Sequence, residues 1–253
     1  MFRTILALVV FFSLILLVIP VVLLLIIISF GRLNFVAVEY IAPFLAWVVF
    51  KIVGINFETV QYPDERPAPA VYISNHSSTL DMFTIMALGL PNIRFIAKWE
   101  FQYNPLFLII GRLTGQIFIR RQDSKKAVQT LQKAYARIKR QKLSIFAAPE
   151  GSRRHEGVIG TFKKGPFRMA MDLGYPIVPV YFEGNRVLSH GDSLFAKPGT
   201  CTAYIHEPID TSDWTVEDLP GHIEAIRNRY LEWAGVKAEQ ETQRTTEGSD
   251  PQS

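Results

Sequence analysis

Residues 70–88 read Ala-Val-Tyr-Ile-Ser-Asn-His-Ser-Ser-Thr-Leu-Asp-Met-Phe-Thr-Ile-Met-Ala-Leu. The apolar run at 70–73 reads as a buried strand, and residues 82–88 read as a helix. His76 sits at the turn between them, with Asp81 five positions later. An imidazole with an ordinary pKa near 6.5 can take a proton at neutral pH. A nearby aspartate can fix the tautomer of the ring and stabilise the imidazolium as it forms. Positions i and i+5 of one helix point roughly 140° apart and cannot meet. The spacing therefore predicts a helix that starts between the two residues, near Ser77 or Ser78, either of which can serve as N-cap. The loop carrying His76 must then curl back over the first helical turn.

Outward from this stretch, short apolar runs alternate with helical patterns. Strands are predicted at 70–74, 93–97, 115–119, 143–148, 176–182 and 201–206, and helices near 79–89, 124–140, 166–173 and 218–234. That alternation implies an α/β fold, a mainly parallel twisted sheet flanked by helices. Helix 124–140 places Ala127, Val128, Leu131, Ala134, Tyr135 and Ile138 on one stripe. Its other face carries Lys125, Lys126, Lys133, Arg137, Lys139 and Arg140, which suits either solvent or an anionic partner. Pro166 at a helix start and Gly174 just past its end fit the usual asymmetry of helix termini.

The amino-terminal segment is of another kind. From Ile5 to Phe30 run about 26 mostly apolar residues, more than the roughly 20 that cross a bilayer core. The run is too long for a signal peptide and lacks a small-residue cleavage site. Pro20 predicts a kink within it. A second apolar segment, 35–57, carries Glu39, Pro43, Lys51 and Gly54 and reads as a half-buried or interfacial helix. The polar, proline-rich stretch Tyr62-Pro63-Asp64-Glu65-Arg66-Pro67-Ala68-Pro69 marks a boundary. The expected organisation is a membrane-embedded helical anchor over 1–60, an α/β domain over 61–235 and a disordered tail over 236–253.

The chain has 253 residues, a single cysteine, Cys201, and a net charge of +4. One cysteine excludes an internal disulfide and allows a reducing, cytosol-facing domain. The basic balance favours anionic partners such as phospholipid headgroups, phosphorylated substrates or an acidic carrier protein. No nucleic-acid-binding signature is present, so nucleic acid is not expected as a partner. The five histidines are scattered and form no metal-binding motif, so no metal is expected.

Three more patches carry chemistry. Residues 115–121 form a strand that delivers Arg120 and Arg121 at its carboxyl end, where open α/β sheets bind ligands. Residues 146–153 form a strand ending in the turn Glu150-Gly151-Ser152-Arg153. Residues 177–184 form a third strand, interrupted by Pro179. Arginine forks match phosphate geometry, so Arg121 and Arg153 near one point would bind a phosphomonoester.

In this order the patches resemble the glycerolipid acyltransferase family, which makes phosphatidic acid from lysophosphatidic acid (1-acyl-sn-glycerol-3-phosphate). His76 and Asp81, four residues between them, match its first block. Gly115 to Arg121 resemble the second, Glu150-Gly151-Ser152-Arg153 the third and Val178-Pro179-Val180 the fourth. Phe162-Lys163-Lys164-Gly165 resembles a stretch that commonly follows the third. The likeness covers about residues 70–185. Arg120 stands where many members have aspartate, and no tryptophan lies between His76 and Asp81.

The resemblance implies an acyltransferase that moves a fatty acyl group from acyl-CoA or acyl-carrier protein to the free hydroxyl of a lysophospholipid, with no resident cofactor and no covalent serine intermediate. His76 would be the general base and Asp81 its orienter. Arg121 and Arg153 would hold the acceptor phosphate, with Lys98 a helper and Arg120 bearing on headgroup preference. Glu150, Gly151 and Ser152 would line the acceptor site, and residues 101–110 an acyl groove. A bilayer-resident lysolipid explains an anchor, and a soluble thioester donor implies a cytosolic site, at the inner membrane. Alternatives are another lyso-lipid acceptor, a lipid esterase or a non-catalytic lipid-binding protein. The esterase reading rests on Gly191-Asp192-Ser193-Leu194, a four-residue nucleophile signature that comes late in the chain. Its nearest acid and base, Asp218 and His222, are one residue too far apart. No Gly-x-Ser-x-Gly elbow is present.

Overall fold

A computed structural model describes residues 1–30, 33–120, 124–153 and 157–236. The tail expected to be disordered lies, from residue 237 on, outside the described residues. Seven strands form one sheet: β1 (Ile55–Gln61), β2 (Val71–Ser74), β3 (Ile93–Lys98), β4 (Ile117–Ile119), β5 (Ser144–Ala147), β6 (Ile177–Glu183) and β7 (Gly199–Ile205). Their order is β1-β7-β6-β2-β5-β3-β4. Every neighbouring pair is parallel except β6 with β7. Strands β5, β3 and β4 thus lie to one side of β2, and β6, β7 and β1 to the other. The chain reverses its direction of winding at β2, which places a binding crevice at that strand's carboxyl end.

All four residues of β2 are buried, as are the first six of β6, so each reads as a continuous apolar run without alternation. Pro179 does not interrupt β6. It pairs with Ile73 of β2, and its carbonyl accepts the His206 N–H at 2.9 Å.

On one face of the sheet, Val71, Ile73, Ile145 and Ile177 pack against Ile138, Phe167, Met169, Ala170, Ile226 and Tyr230. These come from helices α5 (Ser124–Gln141), α6 (Gly165–Leu173) and α8 (Leu219–Trp233), the short α7 (Asn185–Leu188) lying between the last two in sequence. Pro166 starts α6 and Gly174 ends it in the left-handed conformation, as the sequence predicts. Leu131, Ala134 and Tyr135 pack on this core along with Ile138, and Lys133, Lys139 and Arg140 face solvent. Arg137 does not, because it turns inward and donates to the Gly115 carbonyl at 2.8 Å. The opposite face buries Tyr72, Phe146, Val178 and Val180 with Val38, Leu88 and Leu90. Each large side chain so buried contributes about 1.5–3 kcal/mol.

Two helices precede the sheet, α1 (Phe2–Ile28) and α2 (Asn34–Val53), both long and apolar enough to cross a membrane. Five residues of α2, Ala37–Ile41, take the wider π-helical form. Helix α1 buries Thr4, Ala7, Phe11 and Ile15, a stripe spaced by three and four residues. That stripe meets Val49, Phe50 and Val53 of α2, and also Leu80 and Phe83 beside the His76 segment. The face of α1 turned away carries Leu16, Leu17, Leu24, Ile27 and Ile28, all exposed and all apolar.

Two expectations need correction. The boundary placed after residue 60 cuts through β1, which is hydrogen-bonded in register to β7. Its polar residues Asn56, Glu58, Thr59 and Gln61, which fall on both of its faces, hid it at the end of what reads as an apolar segment. The predicted interfacial helix over 35–57 accordingly stops at Val53, with Gly54 in the left-handed conformation as its cap. Pro105–Leu113, overlapping the 101–110 stretch expected to line an acyl groove, forms helix α4.

Candidate active site

The His76 turn closes as the spacing requires, by different means. Helix α3 runs from Asp81 to Ala87 with Leu80 at its N-cap position, so neither Ser77 nor Ser78 caps it. The carboxylate of Asp81 does that work in reverse. Its Oδ2 accepts the backbone N–H of Ser77 at 2.8 Å and of Ser78 at 3.0 Å, and lies 2.9 Å from His76 Nδ1. Its Oδ1 accepts Asn185 Nδ2 at 2.8 Å. Four donors thus converge on one carboxylate that is 1% exposed, and an ionised carboxylate is an acceptor only. An acid at a helix start suits the positive end of the helix dipole.

Asn185 is fully buried and also donates to Thr84 Oγ1 at 2.9 Å. It follows Gly184, whose φ of +86° turns the chain out of β6; a Cβ there would lie 2.5 Å from the Thr200 carbonyl oxygen. Only glycine fits this corner. Sequence reasoning missed Asn185. The usable signal was an amide directly after the Glu-Gly that ends a central strand.

The loop is fixed from two other sides. Asn75 clasps β6, accepting the Phe182 N–H at 2.8 Å and donating to the Phe182 carbonyl at 3.0 Å. Glu150 Oε1 accepts the His76 N–H at 2.7 Å, and Oε2 accepts the Gly160 N–H at 2.8 Å. Beneath them the Tyr230 hydroxyl donates to the Ile73 carbonyl at 2.8 Å and accepts the Val180 N–H at 3.1 Å, tying β2 to β6.

Arg153 arrives from the turn after β5. Its Nη1 donates to Thr79 Oγ1 at 3.2 Å, and its Nη2 lies 2.7 Å from Asp192 Oδ1. Thr79 lies within the His76–Asp81 segment, so the guanidinium and the histidine turn share one crevice. Gly151 has φ +68°, and a Cβ there would sit 2.9 Å from Lys163 Nζ. The missing side chain lets Lys163 lie across the turn, bringing a second cation to the stretch that holds Arg153. Ser152 is exposed in the same turn.

Arg120 is exposed at the end of edge strand β4, its guanidinium 4.7 Å from the ring centre of Trp99. Strands β3 and β5 separate it from β2. Arg121 lies outside the described residues, and of Lys98 only the backbone is described, as the last residue of β3. Phe101, Tyr103, Phe107 and Ile109 are exposed.

The Gly191-Asp192-Ser193-Leu194 stretch does not carry a nucleophile's geometry. Ser193 Oγ donates to the Phe195 carbonyl at 3.3 Å and accepts the Phe195 N–H at 3.1 Å within its own loop. Asp218 and His222 face each other at 3.6 Å at the start of α8, where His222 stacks on Trp214. Cys201 is buried, and burial pushes its thiol up to about 12.

Fold and site together define an α/β protein with a histidine–aspartate pair at the carboxyl end of a parallel sheet, beside an arginine suited to an anionic ligand. Comparison with known proteins resolves the class further. A family model described as Acyltransferase matches residues 57–183. The 1-acyl-sn-glycerol-3-phosphate acyltransferase beta of Homo sapiens is 33% identical over 196 residues, covering 74% of this chain and 70% of that protein. The 1-acyl-sn-glycerol-3-phosphate acyltransferase of Limnanthes alba is 31% identical over 184 residues, 73% of this chain and 65% of its own length. The chain therefore spans slightly less than two thirds of that relative. The crystal structure of the 1-acyl-sn-glycerophosphate acyltransferase from Thermotoga maritima aligns over 93% of this chain and 98% of its own, with a TM-score of 0.73 at 23% identity. The chain belongs to the acyltransferase family.

Proposed function

We propose that the protein transfers a fatty acyl group from a thioester, acyl-CoA or acyl-carrier protein, to the free hydroxyl of 1-acyl-glycerol-3-phosphate. The product is phosphatidic acid, and no resident cofactor takes part. The observation that carries the reading is the 2.9 Å contact between His76 Nδ1 and a buried Asp81 oxygen that also accepts two backbone N–H groups. With Nδ1–H directed at Asp81, Nε2 is the nitrogen that accepts the proton of the acceptor hydroxyl. The hydroxyl oxygen attacks the thioester carbonyl, the C–S bond breaks, and the imidazolium returns its proton to the departing thiolate. Glu150 acts through the backbone of His76, holding the loop rather than touching substrate. Arg153, with Lys163 beside it, holds the acceptor phosphate, and Arg121 is a further candidate.

The two apolar amino-terminal helices anchor the domain at the membrane where acceptor and product reside, with the site on the cytosolic side. The names of the relatives and the intact His76, Asp81, Glu150 and Arg153 support this acceptor.

The test is thioester consumption by the detergent-purified protein with lysophosphatidic acid, compared with a phosphate-free lysolipid. Wild type is expected to need the phosphate, and His76→Ala to lose about 10²–10⁴-fold in turnover. Equal turnover with both lysolipids would sink the proposed acceptor. Turnover that survives His76→Ala would sink the proposed base.

A further inference from the structure

The loop after β6 carries a carboxylate to the very arginine that the proposed acceptor requires. We infer that Asp192 is an exchangeable counter-ion of Arg153, displaced by the acceptor's phosphate, and that it tunes how strongly the site prefers phosphorylated acceptors. The inference rests on the reading of Arg153 as the phosphate-binding residue.

The geometry supports exchange at several points. Arg153 Nη1 is committed to Thr79 Oγ1, and Nη2 to Asp192 Oδ1 at 2.7 Å, a charge-assisted contact. A phosphomonoester needs that same donor edge, and a carboxylate left beside it would repel the incoming dianion. The pair is also weak enough to part. The side chains are 29% and 40% exposed, and partly solvated ion pairs contribute little. A doubly charged phosphate on a guanidinium fork outcompetes a single carboxylate contact.

Exchange need not disturb the catalytic turn. Next to Asp192, the Gly191 carbonyl accepts the Thr79 N–H at 3.0 Å, and the Gly191 N–H donates to the Ser77 carbonyl at 3.2 Å. At its far end the loop exchanges hydrogen bonds with Thr4 of α1, whose Oγ1 donates to the Ala196 carbonyl at 3.1 Å. The backbone is pinned on both flanks, and φ +57° at Gly191 gives it its turn. Release of Arg153 therefore takes a side-chain rotation at Asp192 and no movement of the loop backbone. With a phosphate-free acceptor the carboxylate stays, and the arginine remains neutralised.

The experiment uses the full chain in detergent, with inorganic phosphate as the probe. Wild type, Asp192→Asn and Arg153→Gln are compared for inhibition by phosphate, for the phosphate-dependent rise in Tm, and for KM with lysophosphatidic acid and with a phosphate-free lysolipid. Asp192→Asn removes charge and keeps shape. It is expected to lower the phosphate inhibition constant and the KM for lysophosphatidic acid about three- to tenfold. The effect should fall on KM more than on kcat and leave the KM of the phosphate-free lysolipid in place. Asp192→Ser is expected to follow it. If Asp192→Asn raises both constants, Asp192 orients the arginine instead of competing for it, and the inference is overturned. It is equally overturned if neither constant moves while Arg153→Gln raises both, for the pair is then a solvated contact. If Arg153→Gln moves neither, the phosphate-binding reading itself has failed.

Discussion

Two aspartates of this protein sit at opposite limits. Asp81 is 1% exposed and accepts four hydrogen bonds from two parts of the chain: the His76 ring with the backbone of Ser77 and Ser78, and the Asn185 amide. Asp192 is 40% exposed and meets the Arg153 guanidinium at the surface. In the proposed reaction the first belongs to the proton-transfer centre, where a displacement of about 1 Å can cost two orders of magnitude in rate. The second belongs, in the same proposal, to the headgroup side, where a ligand must enter and the product must leave. That proposal puts rigidity where protons move, and exchangeable contacts where substrate is captured.

The comparison can be broken most directly at Asp81. Asp81→Asn keeps one acceptor oxygen: turned toward His76, Ser77 and Ser78 it sets its NH2 against the Asn185 amide donor, turned the other way it faces those three with the wrong polarity, and in both cases the negative charge beside the imidazole is lost. Turnover is expected to drop about 10³–10⁴-fold, read as thiol release from the donor. The protein's own thiol, Cys201, is buried and pushed up to about 12, so the released thiol is what a reporter detects. A drop smaller than tenfold would mean that the carboxylate does not set the histidine.

Asn185→Ala tests whether the rigid side depends on its buried amide. It leaves Asp81 Oδ1 and Thr84 Oγ1 without that donor, at a cost of about 1–3 kcal/mol in denaturant unfolding. Activity should fall with stability, since the same amide braces Asp81. A variant as stable as wild type would show that water or a neighbour replaces the amide, and that the turn is looser than it looks.

The smallest effect concerns the soft side. Between about 50 and 200 mM salt, KM for lysophosphatidic acid should rise a few-fold while kcat stays level, because exposed charges are screened and the buried Asp81 site is not. Parallel changes in both constants would erase the distinction between the two regions.

Much of this was legible in the sequence. Strands β2 to β7 follow from apolar runs bounded by turns, and the His76–Asp81 spacing demanded a loop curling back onto a helix start. What the spacing could not show is that Asp81 itself makes the turn, since serine and aspartate are both good partners for free N–H groups. Strand β1 escaped notice because an edge strand half open to solvent carries Asn56, Glu58 and Gln61. Asn185 and Asp192 escaped because their roles depend on partners about a hundred residues or less away in sequence, such as Asp81 and Arg153, brought near by β6. Arg120 does stand at a strand end, and that this strand is the edge of the sheet is a matter of topology that local pattern does not encode.

The Tyr230 hydroxyl has a consequence for the birth of the enzyme. It joins the Ile73 carbonyl, 157 positions earlier, to β6 just below the histidine turn. During synthesis β2 emerges long before α8, and at roughly 5–20 residues per second the gap is on the order of ten seconds or more. Through that interval the apolar helices α1 and α2 are already made, while the centre they will carry lacks its last fastening. The segment that the proposed function assigns to the membrane is thus complete before the site it serves.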